Sequence, residues 1–120
     1  MTGDYAYSGG DVAQKKGEFD YSTDASTSYT IASTDKGEVI GFTSASAVTV
    51  TVNPGSLTDV GDICYIDQMG SGEITITAGT GNSLLKNSSV QLKTNGLYSR
   101  VAIHKVSSTG YRVFGELKPV

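Results

Sequence analysis

The chain is poor in the residues that most often carry chemistry. It has one cysteine, Cys64, and one histidine, His104. A single cysteine excludes an intrachain disulfide, so the fold must rest on its core or on partner subunits. Cys64 lies in the run Asp62-Ile63-Cys64-Tyr65-Ile66, where a small buried filler is expected. A catalytic thiol needs a nearby base, and His104 is far along the chain. A lone histidine without a second ligand at metal-binding spacing makes no metal site; only a trimer axis gathering three copies would do so. Charge is also scarce: Asp, Glu, Lys and Arg make up 18% of the chain, against about 25% in typical domains. The nine basic residues are scattered, with Lys15-Lys16 the only adjacent pair, and the net charge is −3. That distribution lacks the cationic cluster needed to displace counterions from nucleic acid. Long apolar runs are missing too. No stretch approaches the roughly 20 residues of a membrane-spanning helix, so no membrane partner is expected. The start, MTGDYAYSGGDV, lacks the basic-then-apolar pattern of a signal peptide, and the expectation is a protein made and folded in a cytoplasm.

The remaining polar groups do not assemble into a catalytic pattern. Asp59, Asp62, Asp67 and Glu73 fall mid-chain, but a glycosidase needs two carboxylates facing each other across a cleft, and the short turns here leave little loop length for one. Asp20 with Asp24, and Asp59 with Asp62, miss the spacing of a calcium loop. Gly70-Ser71-Gly72 and Gly79-Thr80-Gly81 begin like dinucleotide loops, yet neither has the third glycine nor opens a helix. Both read as hairpin turns. No catalytic residue, metal or cofactor is expected, and the chain reads as no enzyme.

What is present is strand and turn. The segment AVTVTV places Val48, Val50 and Val52 on one face and Thr49 and Thr51 on the other. EITITA repeats the device with Ile74 and Ile76. In GDICYIDQ, Ile63 and Tyr65 oppose Cys64 and Ile66. Pro54 denies a ladder hydrogen bond and ends its strand. Gly41 interrupts GEVIGFTS and predicts a weakened or bulged strand. Met69-Gly70-Ser71-Gly72 and Asn95-Gly96 predict tight hairpins, the latter joining VQLKT to LYSRVAIHKV. SSTG before YRVFGEL predicts another turn. About eight to nine short strands at regular spacing predict an all-β, antiparallel β-sandwich or small barrel. Two units follow: an extended N-terminal arm over residues 1–27 and a β-domain over residues 28–120.

The arm is polar, Gly-rich and aperiodic, yet it carries Tyr5, Tyr7, Phe19 and Tyr21. A plain linker would not spend aromatics this way; rings on a polar arm indicate docking. Lys15 and Lys16 are either solvated or a contact with an acidic partner surface. These six residues form the candidate interface.

The run from Gly37 to Leu117, through VTVTVNPGS, GDICYIDQMGSGEITITAGTG and LYSRVAIHKVSSTGYRVFGEL, resembles a small β-domain that recurs in structural proteins of tailed bacteriophages. Domains of this look occur on tail fibres and spikes and in head-decorating proteins. The resemblance implies a virion protein, assembled in the host cytoplasm. An arm plus one β-domain is most similar to a capsid decoration, or cement, protein. That implies the major capsid protein (or another virion protein) as partner and a homo-trimer or homo-dimer as the assembled state. The alternatives it leaves are a tail-fibre or tail-tip module for host recognition, with Tyr98 or Tyr111 as glycan-facing candidates, and a head–tail adaptor.

Overall fold

A computed structural model describes residues 19–120. Eleven strands form two sheets: β1 (Asp20–Asp24), β2 (Ser28–Thr30), β3 (Glu38–Phe42), β4 (Val48–Val52), β5 (Ile63–Gln68), β6 (Ile74–Ala78), β7 (Ser83–Leu85), β8 (Val90–Thr94), β9 (Arg100–Lys105), β10 (Gly110–Gly115) and β11 (Leu117–Pro119). A single 3₁₀ turn, Ser33–Asp35, interrupts them. The first sheet runs β1-β3-β5-β9-β10-β7 and the second β11-β8-β6-β4-β2.

The all-β class stands, as does a two-layered sandwich, but the sheets are mixed rather than antiparallel. From β1 to β6 the chain alternates sheets at every strand, so each return to a sheet runs in the same direction as the last. β1, β3 and β5 are therefore parallel neighbours in one layer, and β2, β4 and β6 in the other. Parallel strands need a long crossover, and here each crossover contains a strand of the opposite sheet. β8 and β9 then close onto this double stack antiparallel to β6 and β5. The β9–β10 pair is a true hairpin, as SSTG predicts.

Two predicted hairpins are corners instead. Met69–Gly72 carries the chain from β5 in the first sheet to β6 in the second, and Asn95-Gly96 carries it from β8 back to β9. The glycines at the first corner are needed for a different reason than hairpin twist. The corner stacks directly on the one beneath it, as the strands do, and a Cβ on Gly72 would collide with the Ser46 carbonyl. Gly41 is no bulge either. Thr23, Gly41 and Asp67 pair in unbroken register across β1, β3 and β5. Leu84-Leu85 lies in β7 beside β10.

The core forms between the layers as the alternation predicts. Val48, Val50, Val52, Ile74 and Ile76 from one sheet meet Ile40, Phe42, Cys64, Ile66, Val101, Ile103, Tyr111 and Val113 from the other. The 53–58 corner is fastened from below. The buried Lys105 ammonium donates to the carbonyls of Pro54 (3.1 Å), Leu57 (2.8 Å) and Thr58 (3.4 Å). The Tyr111 hydroxyl accepts from the Leu57 amide at 3.0 Å and reaches the Pro54 carbonyl at 3.1 Å. These bonds satisfy polar groups that would otherwise be costly to bury.

Candidate interaction surface

Once Ile40, Phe42, Cys64, Ile66, Val101 and Ile103 are assigned to the core, strand periodicity turns their neighbours outward. Register then aligns Tyr21, Val39, Tyr65, Ala102 and Phe114 in one row across β1, β3, β5, β9 and β10 on the outer face of the first sheet. This row is apolar and aromatic over five strands, where a solvated face would carry polar side chains.

The chain enters this row from its N-terminal side. The Phe19 ring packs on Tyr65 with centroids 5.2 Å apart and planes tilted by 55°. Tyr21 lies over Gly41, where any Cβ would meet its hydroxyl. Val39, between them, is only 3% exposed although it faces away from the core. Phe19 and Tyr21 themselves remain 44% and 50% exposed. Arg100 flanks the row, held by Asp67 through two contacts of 2.6 and 2.8 Å, with its guanidinium 5.8 Å from the Tyr65 centroid. The Asp67 hydrogen bond and charge favour the protonated guanidinium. Further along, Arg112 stacks 4.3 Å over Phe114.

Two depressions sit on either side of Phe114. The smaller, of about 260 Å³, is bounded by Tyr65, Arg100, Ala102, Phe114, Gly115 and Glu116. The larger, of about 590 Å³, opens where β7 stops at Leu85, beyond which the β10 edge has no strand partner among the described residues. Leu85, Val90, Val113 and Leu117 line it, with Lys86 and Arg112 contributing positive charge.

Of the six expected interface residues, Phe19 and Tyr21 are brought together on this face; Tyr5, Tyr7, Lys15 and Lys16 lie outside the described residues. The expected arm boundary at residue 28 falls after β1, because Asp20–Asp24 already pairs with β3. Tyr65, Ala102, Arg112 and Phe114 were not anticipated from sequence. Their alternation was legible, but their alignment comes from pairing between distant strands. The two tyrosines of the host-recognition alternative part company: Tyr111 is completely buried, while Tyr98 is 69% exposed on a corner with φ of 70°.

Cys64 and His104 occupy opposite faces of the sheet, since Cys64 pairs with Ile103 and His104 with Ile63. Burial, aided by the nearby charges of Asp35 and Glu38, pushes the Cys64 thiol up to about 12, which keeps it protonated and unreactive near neutrality. Among the described residues no group of three or more His, Cys, Asp or Glu side chains is placed to hold a metal ion. A scan against models of known protein families finds no match for this chain, and neither does a search of curated proteins.

Proposed function

We propose that this chain is a non-enzymatic structural protein of a tailed-bacteriophage virion, a capsid decoration protein. In this reading the N-terminal arm lies on the major capsid protein and the β-domain stands above it as part of a homo-trimer or homo-dimer. The resemblance over Gly37–Leu117 supports the virion assignment. The observation that carries the mode of action is the outer aromatic row, entered by Phe19 and Tyr21, because it makes the arm and one sheet face a continuous adhesive surface. A protein that binds only the assembled shell shifts the assembly equilibrium toward it, and repetition around symmetry axes multiplies weak contacts.

The test is binding of purified protein to expanded capsids that lack it. The full chain is expected to saturate the shells and raise their disruption temperature. A chain lacking residues 1–18 is expected to keep its β-domain melting transition and lose capsid binding. Undiminished decoration by the shortened chain would overturn the arm-based reading.

One observation favours a second reading. Leu97 and Tyr98 project from the corner between β8 and β9, and the left-handed backbone of Tyr98 is unfavourable for a bulky residue. Such a strained, exposed aromatic fits a tail-tip or fibre module that stacks on host glycans. Binding to host cells that Tyr98→Ala abolishes, with no binding to capsids, would establish that reading in place of the first.

A further inference from the structure

The first sheet ends in two unlike edges, and we infer that copies of this chain join head to tail through them, β1 of one copy pairing with the β10 edge of the next. The inference rests on the homo-oligomer of the proposed function; it names the joining surface and selects a ring of three over a two-fold dimer. β1 and β7 are the outermost strands of the sheet, and β7 covers only Gly110–Arg112 of β10. The Glu116 amide donates to the Arg100 carbonyl on the β9 side, while the Thr109 carbonyl accepts from Ser83 on the β7 side. Backbone groups alternate sides along a strand. Val113 and Gly115 therefore turn theirs toward the edge past Leu85, where no strand partner stands among the described residues. The larger groove opens at the same place.

Direction, face and charge agree with this joint. β1, β3 and β5 are parallel, β9 opposes β5, and β10 opposes β9, so β10 and β1 run the same way. A neighbour's β1 enters as a parallel strand with its inward and outward residues in step. The register that begins past Leu85 sets Tyr21 beside Phe114 and Asp20 beside Val113, where Lys86 and Arg112 border the groove. The aromatic row then continues from one copy into the next. The β1 end is acidic: Asp20 and Asp24 lie on it, and Glu38 is the partner of Asp20 on β3. Partial burial first, then the charges of Asp35 and Asp20, raise the Glu38 carboxyl above its ordinary 4.5, as negative charge with too little compensation does. Antiparallel pairing of two β1 strands about Ser22 would set Asp20 against the other copy's Asp24, which like charge opposes. The second sheet does not extend in the same way, because β11 is three residues long and includes Pro119, which has no N–H to give. Within one copy β1 and β10 lie four strand spacings apart, about 19 Å. Two copies cannot satisfy both edges at once, and unlike edges close into a ring or run on as a filament. The joint is short, Val113–Gly115 of β10, so it loosens before the centre of the sheet does.

Tyr21→Cys and Phe114→Cys in one full-length chain test the contact without capsids. Within a copy the two positions are too far apart for a disulfide, whose Cα atoms must lie within about 7 Å, and Cys64 is buried. Mild oxidation is expected to give covalent trimers, and neither single variant is expected to cross-link. Should the double variant lose its melting transition, Lys86→Glu with Arg112→Glu serves instead. Sedimentation is expected to show trimers for the parent chain and association weakened about ten-fold for the reversed pair, the scale of two surface ion pairs turned repulsive; Asp20→Lys in the same chain is expected to restore part of it. A folded double-cysteine chain that stays uncross-linked would overturn the inference. So would cross-linking by Tyr21→Cys alone, which reports a two-fold β1–β1 contact, open-ended ladders in place of trimers, or association that the charge reversals leave unchanged. In each of those cases capsid binding by the unaltered chain, measured separately, would leave the decoration reading standing.

Discussion

At the scale of single residues, the pair of half-buried Tyr29 and buried Asp35 governs behaviour in alkali. The Tyr29 hydroxyl lies 2.9 Å from both Asp35 carboxylate oxygens, and the Ala32 amide donates to the same carboxylate at 2.8 Å. Burial first, then the Asp35 hydrogen bond and charge, raise the Tyr29 pKa well above its ordinary 10.0. Cys64 is shifted in the same direction. Both are acids whose folded pKa exceeds the unfolded one. Their contribution is complete below the unfolded values and is lost as pH climbs through the folded ones. The protein is therefore expected to lose stability from about pH 9–10 upward. Tyr29→Phe should cost about 1–2 kcal/mol at pH 7, because it strips a hydrogen bond from a buried carboxylate, and should flatten the decline above pH 10. Melting temperatures of both proteins between pH 7 and 12 check this; identical alkaline slopes would show that Tyr29 does not titrate as argued.

At the scale of elements, the corners carry as much specification as the strands. A Cβ at Gly72 runs into the Ser46 carbonyl, and one at Gly79 into the Asn53 side chain, because each corner rests on the one beneath. By contrast, a Cβ at Gly55 meets nothing within 4 Å. Gly72→Ala is expected to destabilise by about 1–3 kcal/mol through backbone displacement. Gly55→Ala is expected to be neutral or stabilising by up to about 1 kcal/mol, since it restricts the unfolded chain. Denaturant midpoints at constant slope measure both. Equal effects at the two positions would mean that corner stacking is not what demands glycine. This is also where sequence reading went furthest astray. Gly70-Ser71-Gly72 and Asn95-Gly96 were legible as turns, but a hairpin and an inter-sheet corner draw on the same residues. Nothing local tells which partner the outgoing strand will find.

At the scale of the whole molecule, the first sheet has a doubly paired centre and two edge strands among the described residues. β5 and β9 lie in the middle of the first sheet, each paired on both sides, while β1 and β7 are its edges. Native-state hydrogen exchange is expected to be slowest at Cys64–Ile66 and Val101–Ile103 and fastest, among strand amides, at β1 and β7. Edge amides as protected as the central ones would show that the sheet opens only globally.

The alternation in Val48-Thr49-Val50-Thr51-Val52 and in Ile74-Thr75-Ile76-Thr77 determined by itself which side chains enter the core, because strand periodicity is written in adjacent residues. The same holds for the all-β class and for the aromatic character of the arm. The parallel direction of β1-β3-β5, the use of turns as corners, and the alignment of Tyr21, Val39, Tyr65, Ala102 and Phe114 were decided by the tertiary structure. Those features depend on hydrogen bonding between segments tens of residues apart. That pairing energy is summed over whole strands and leaves no local mark in the amino-acid order.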